Sequence, residues 1–221
     1  MAFGTSAPEF AVSAQGALTG NSDVAIGNVV GSNTLNILLV LGLSAAIGSL
    51  TIEQRIIKRD IPILLLVSVV IYGLTLNELV GRIEGGILFV GLLAYTWWLL
   101  QDARKAESAQ VTAEYEKAVD ALDDSLVSKP LYLQIGLVLV GLALLILGSR
   151  FLVSSATTIA EAFGVSDLVI GLTVVAAGTS LPELATSVMA AYRGQRDIAV
   201  GNVVGSSLFN LLGVLGLAGA L

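Results

Sequence analysis

Residues 4–43 of this chain recur at 178–217. The first stretch reads GTSAPEFAVSAQGALTGNSDVAIGNVVGSNTLNILLVLGL. The second reads GTSLPELATSVMAAYRGQRDIAVGNVVGSSLFNLLGVLGL, aligned without a gap at a constant offset of 174 positions. Identical residues fill 23 of the 40 positions, too many for coincidence, so the chain is two halves of one duplicated unit. Any fold it adopts must use that unit twice.

The solvent for the fold follows from the runs around the repeat. Stretches such as IPILLLVSVVIYGLTL (61–76), ILFVGLLAYTWWLL (87–100) and LYLQIGLVLVGLALLILG (131–148) are almost free of charge. Only 13% of residues are charged, about half the share in soluble domains. A membrane-crossing helix needs roughly 20 mostly apolar residues. The chain therefore reads as an all-α membrane protein. Seven helices are expected: the start to Leu18, Val24–Gly48, Ile61–Asn77, Ile83–Leu100, Leu131–Ala160, Ser166–Tyr192, and Ile198 to the end. The two GTSxPE copies fall on the first and sixth, five crossings apart. An odd number reverses direction, so the fold class expected is an inverted-topology repeat, a frequent plan in secondary transporters.

Charge orients the helices. Arg55, Lys58, Arg59, Arg104, Lys105, Lys117, Lys129, Arg193 and Arg196 fall in alternate connections, against Arg82 alone in the others. Basic loops lie on the cytoplasmic side. The expected organisation is a first repeat over 1–100, a polar cytoplasmic linker over 101–130 and a second repeat over 131–221. DALDD (120–124) in the linker lacks the spacing of a calcium loop and reads as a solvated acidic face. Arg150, within the fifth helix, reads as snorkelling or paired, with no role assigned.

The motif has a chemistry. A proline inside a spanning helix removes a backbone hydrogen bond, and in lipid the freed carbonyls need another partner or a cavity. The carbonyls expected to be freed lie around Ala2 to Thr5 and Ala176 to Thr179, beside the hydroxyls of Thr5, Ser6, Thr179 and Ser180. Glu9 and Glu183 follow the prolines directly. An ionised carboxylate at mid-membrane costs roughly 2.5–3.5 kcal/mol on insertion scales, so it calls for a compensating cation. Ser32 and Asn36 lie one turn apart, as do Ser206 and Asn210, so each pair shares a face directed at the carboxylates. GxxxG pairs at Gly27/Gly31 and Gly201/Gly205 allow close helix approach. With no cysteine or histidine in the chain, the donors are all oxygen. That favours Ca²⁺, Na⁺ or Mg²⁺, with Mg²⁺ less suited to an all-protein cage. Two glutamates balance one Ca²⁺ or two monovalent ions, so the two loads would compete.

GTSxPE followed by GNxxGSxxxN, twice, resembles the α-repeats of the calcium/cation antiporter superfamily, specifically its sodium/calcium exchanger branch of bacterial and archaeal type. The resemblance implies ten helices in two inverted sets of five, with ion sites between the second, third, seventh and eighth. By it, Glu9 and Glu183 would bind calcium with the carbonyls of Thr5 and Thr179. Sodium would use the same carboxylates with Ser6, Ser32, Ser180, Ser206 and the carbonyls of Ala2 and Ala176. Asn36 and Asn210 would complete the centre. Potassium-dependent and archaeal relatives carry aspartate at the position of Asn210, so its absence argues against potassium dependence. Seven helices where ten are implied give a fragment as the expectation, with Met1 an internal methionine.

The resulting expectation is a secondary antiporter exchanging Na⁺ for Ca²⁺ in a prokaryotic plasma membrane, with the lipid bilayer as its surroundings. An H⁺/Ca²⁺ antiporter is the near alternative, and a non-transporting cation-binding subunit or sensor is the alternative of another class. No nucleophile–base pair or phosphate loop supports an enzyme, no basic stripe supports nucleic-acid binding, and no cofactor is expected beyond the transported ions.

Overall fold

The computed structural model describes residues 2–20, 22–50, 52–75, 81–105 and 130–221. Met1, most of the 77–82 loop and residues 106–129 of the linker, including DALDD and the linker lysines Lys117 and Lys129, lie outside the described residues.

The described chain is helical throughout. The first repeat holds α1 (Ala2–Thr5), α2 (Ala7–Leu18), α3 (Ser22–Leu35), a π-helical turn (Asn36–Val40) and α4 (Leu41–Ile47). A second π turn (Ile56–Asp60) leads into α5 (Ile61–Thr75), followed by α6 (Arg82–Lys105). The second half begins with α7 (Leu131–Ala162) and α8 (Asp167–Ile170), then a π turn (Gly171–Val175) into α9 (Ala176–Thr179). It ends with α10 (Leu181–Tyr192), α11 (Arg196–Phe209), a π turn (Asn210–Val214) and α12 (Leu215–Ala220).

Four helices are long and apolar enough to cross a membrane: Val24–Ile47, Arg82–Asp102, Tyr132–Ala162 and Arg196–Ala220. A fifth crossing forms if the pair Leu172–Thr179 and Leu181–Tyr192, bent by 51°, is one broken span. The first and sixth expected helices are thus proline-broken, as the fold class expected, with the breaks at Ser6 and Ser180. α5 continues the Ile56–Asp60 π turn without a break, so the helical segment is longer than its own 15 residues.

Each interruption follows from its proline. Pro8 and Pro182 stand in the first turn of α2 and α10. There the missing N–H would have had no helical acceptor and the fixed φ suits the start of a helix. The helix therefore restarts at the proline instead of passing through it. Ser6 (φ −83°, ψ 11°) and Ser180 (φ −82°, ψ 4°) are the joints. Both restarted helices run 12 residues and stop at corresponding glycines, Gly20 (φ 74°) and Gly194 (φ 78°), whose left-handed backbone suits glycine.

α2 packs on α3 and α10 on α11, the same hairpin twice. Across the repeats, α3 packs on the Gly171–Val175 turn and α9, while α11 packs on α1. These exchanges place both broken helices at the centre of an inverted repeat. The span through α11 is the most enclosed, and its Val200, Val204, Leu208 and Phe209 lead the apolar core with Leu88 and Leu92 of α6. α6 meets α12 backbone to backbone, because a Cβ on Gly85 would stand 2.6 Å from the Gly216 carbonyl oxygen. In contrast, α7 exposes Leu137, Val138, Leu139 and Val140 in succession. This helix is long and apolar enough to cross a membrane.

Where α5 begins and α6 ends, Arg55 pairs with Asp102, and Arg59 pairs with both Asp60 and Asp102. Arg59 also lies 5.0 Å over the Trp98 ring, and the Tyr95 hydroxyl donates to Asp60 at 3.2 Å. This cluster ties the start of α5 to the end of α6.

Candidate cation site

Each joint serine reaches the carboxylate of the opposite repeat. Ser6 Oγ donates to Glu183 Oε1 at 2.7 Å, and Ser180 Oγ donates to Glu9 Oε1 at 3.2 Å. The two bonds are reciprocal, as a pseudo-two-fold relation between inverted repeats requires. Both glutamates are 0% exposed and sit in the first turn of their helices, where the positive end of the helix dipole favours a carboxylate.

The second oxygen of each carboxylate, Oε2, is buried and has no hydrogen-bond partner among the described residues. The same holds for Ser206 Oγ, for Asn210 Oδ1 and for both amide atoms of Asn36. Ser206 stands beside Glu183. Buried polar atoms are ordinarily paired, since leaving one unmet costs about 1–3 kcal/mol. An unmet set of this kind is a place for a ligand. Among the described residues the ion pairs involve only Arg55, Arg59, Asp60 and Asp102, so no basic side chain neutralises Glu9 or Glu183. Among the described residues no third acid joins the two glutamates, so the remaining donors there are neutral oxygens. Arg150 is exposed on α7 and lines a cavity of about 520 Å³ with Glu161, Gln15 and Thr179. Because Thr179 also stands beside Glu9, that cavity adjoins the centre.

The residues expected from the sequence are brought together with two adjustments. Glu9, Glu183, Ser6, Ser180, Thr5, Thr179, Ser32, Ser206, Asn36 and Asn210 are all buried in one region. Ser32, expected to face a carboxylate, instead lies 3.3 Å from the Thr179 hydroxyl and 3.5 Å from Asn28 Oδ1. The Ala2 and Ala176 carbonyls, expected to be freed, are already engaged. Ala2 O accepts from Ser6 N at 3.0 Å and Thr5 Oγ1 at 3.2 Å, and Ala176 O accepts from Ser180 N at 3.1 Å and Thr179 Oγ1 at 3.3 Å. The N–H that a proline lacks would have served the carbonyl four residues earlier, at Gly4 or Gly178, and not those of the alanines.

Asn28 and Asn202, with Ser13 and Ser187, were not anticipated. Asn28 Nδ2 donates to the Glu9 carbonyl (3.1 Å) and to Ser13 Oγ (2.9 Å), while its Oδ1 accepts from Thr179 Oγ1 at 3.0 Å. In the other repeat Asn202 Nδ2 donates to Ser187 (3.1 Å) and Thr186 (3.2 Å), but its Oδ1 has no partner and Thr5 stays with Ala2. The repeats are thus not in the same state: one asparagine latches the opposite helix and the other does not. The signal was present in the sequence. Positions 28, 32 and 36, and 202, 206 and 210, are four apart and extend one polar stripe by a turn.

Two π turns begin at Asn36 and Asn210, matching positions of the duplicate. Such insertions are frequent at functional sites. The arrangement defines an α-helical membrane protein whose two inverted repeats share one buried, oxygen-lined centre.

The chain belongs to the sodium/calcium exchanger protein family, matching it over residues 1–101 and 133–221. It is 39% identical over 217 residues to a putative antiporter, CaxA, of Alkalimonas amylolytica, covering 98% of this chain and 66% of the relative. It is 38% identical over 221 residues to the inner membrane protein YrbG of Escherichia coli strain K12, again over 98% of this chain and 66% of the relative. Its fold is similar to the sodium-calcium exchanger NCX_Mj in crystals soaked with Na⁺ and Ca²⁺, with a TM-score of 0.76 and 34% identity, covering 100% of this chain and 67% of that structure. The chain thus spans about two thirds of the length of the proteins it matches.

Proposed function

We propose that this chain forms the ion-translocating centre of a secondary antiporter that exchanges Na⁺ for Ca²⁺ by alternating access. The reciprocal Ser6–Glu183 and Ser180–Glu9 bonds carry the reading. They hold two acids at the repeat interface with one oxygen of each unmet. Glu9 and Glu183 bind Ca²⁺ with the carbonyls of Thr5 and Thr179. Na⁺ competes for the same carboxylates through Ser6, Ser180, Ser32 and Ser206, and the Asn36 and Asn210 amides close the middle. Two negative charges match one Ca²⁺ or two Na⁺, and competition for one site is the least that exchange requires. The Ala2 and Ala176 carbonyls join only in a state that releases their present donors.

The unequal Asn28 and Asn202 latches support the alternating part of this reading. In an inverted repeat, the two halves adopt each other's conformation when the site changes sides. The basic loops and the 101–130 linker lie on the cytoplasmic side of a prokaryotic plasma membrane.

The test is Ca²⁺ uptake by proteoliposomes loaded with Na⁺, using the natural full-length protein beside Glu9→Gln and Glu183→Gln. Uptake that follows the Na⁺ gradient and disappears in both variants is the expected outcome. Uptake that instead follows an imposed pH gradient would replace Na⁺ with H⁺ as the coupling ion. Ca²⁺ binding with no uptake under either gradient would leave a cation-binding membrane subunit.

A further inference from the structure

Asn33 and Ser207 occupy matching places in the two repeats, one residue beyond Ser32 and Ser206. Here the duplicate has diverged, and the divergence reaches the centre of the site. Asn33 Nδ2 donates to the Ser207 backbone carbonyl at 3.3 Å. A peptide carbonyl only accepts, so turning the Asn33 amide round would set oxygen against oxygen. Its Oδ1 must therefore face the other way, where it accepts from Asn210 Nδ2 at 3.2 Å. That bond fixes the second amide in turn. The Asn210 nitrogen is held by Asn33, and its Oδ1 is left buried with no hydrogen-bond partner among the described residues. The chain of assignments starts from a backbone group of known polarity, which is how amide oxygen and nitrogen are told apart.

Asn36, the counterpart of Asn210, has no such anchor. Both of its amide atoms are buried without a partner. The residue that matches Asn33 is Ser207, whose hydroxyl is also unpartnered. The two central asparagines therefore differ in kind: one has its dipole set and the other can present either end.

We infer that Asn33 is a positioning residue for the cation site, holding the Asn210 amide so that an oxygen and not an N–H faces the bound ion. This rests on the reading of the centre as a Ca²⁺ and Na⁺ site. A carboxamide oxygen attracts a hard cation and the amide hydrogens repel it, so a flipped Asn210 changes the sign of its contribution. Asn33 itself touches no ion. Its action is to forbid the flip.

A carboxylate at 210 has oxygen at both ends and needs no orienting, which provides the test. The natural full-length protein, Asn33→Ala, Asn210→Asp and the double variant are purified in detergent, and their thermal stabilisation by CaCl₂ is titrated. In Asn33→Ala the Ca²⁺ concentration for half-maximal stabilisation rises about tenfold, a modest change in affinity. In the Asn210→Asp background, adding Asn33→Ala changes it less than about twofold, on the same scale. A merely structural role for Asn33 would lower the starting melting temperature and move the titration equally in both backgrounds, and that result overturns the inference. So does an Asn33→Ala titration matching the unsubstituted protein. If the unsubstituted protein is stabilised by neither CaCl₂ nor NaCl, the transport reading fails first, in a measurement that involves no change at 33, and the role given to Asn33 fails with it.

Discussion

Adding a single methyl at Gly31 tests how tightly the two repeats are clasped. α3 crosses the Gly171–Val175 turn at this point, and a Cβ on Gly31 would stand 2.5 Å from the Leu172 carbonyl oxygen and 2.6 Å from Ala176 Cβ. Ordinary carbon contacts lie at about 3.5–4.0 Å, so the helices must separate by about an ångström. Neither obstacle can rotate away, because one is backbone and the other a Cβ. Overpacking of a dense interior costs about 1–3 kcal/mol. At about 2–4 °C per kcal/mol for a chain of this size, Gly31→Ala lowers the melting temperature by several degrees. The same displacement moves Ala176–Thr179, and with it the Thr179–Asn28 and Ser180–Glu9 bonds, so Na⁺-driven Ca²⁺ uptake falls as well. The repeat-related Gly205→Ala serves as the control. Among the described residues its methyl would meet only Ala2 Cβ, at 3.1 Å, and a shift of a few tenths of an ångström relieves it. Thermal unfolding in detergent and transport in liposomes should both rank unsubstituted above Gly205→Ala above Gly31→Ala. Equal melting of Gly31→Ala and the unsubstituted protein, or a reversed order of the two alanines, would refute the clasp.

Asn28→Leu removes three hydrogen bonds, to the Thr179 and Ser13 hydroxyls and the Glu9 carbonyl, each worth about 0.5–1.5 kcal/mol net, although Thr179 keeps the Ala176 carbonyl and Ser13 the Ala25 carbonyl. It should therefore destabilise more than Asn202→Leu in the same melting assay, and equal losses would show that the latch asymmetry has no energetic content. Asp102→Asn weakens the tie between α5 and α6, but that carboxylate is 38% exposed and Arg59 keeps Asp60 and the Trp98 ring. A loss below about 1 kcal/mol is expected, with Ca²⁺ dependence of uptake unchanged. A shifted Ca²⁺ dependence would mean that this cluster is coupled to the site.

Much of this molecule was legible because lipid is an unforgiving solvent. A glutamate, a serine or an asparagine in an apolar run stands out, and the duplication marks Glu9 and Glu183, Ser6 and Ser180, and Asn36 and Asn210 twice over. Helical spacing also says that 28, 32 and 36 share a face. It does not say what that face meets. Ser32, expected at a carboxylate, turned out to lie with Thr179 and Asn28. The proline signalled a break in each helix, yet placing the break at the serine two residues earlier required the backbone itself.

By itself the sequence determined the duplication, the membrane, the reversal of the second copy and the set of polar residues that must be compensated. These depend on composition and period, which are local properties. Only the tertiary structure decided that each serine serves the other repeat's glutamate and that the Ser207 carbonyl sets the Asn210 amide through Asn33. These contacts join atoms more than 170 positions apart. Periodicity tells which side of a helix faces inward, whereas the partner and the polarity of each contact are set by how two helices cross, and crossing is a property of the packed whole.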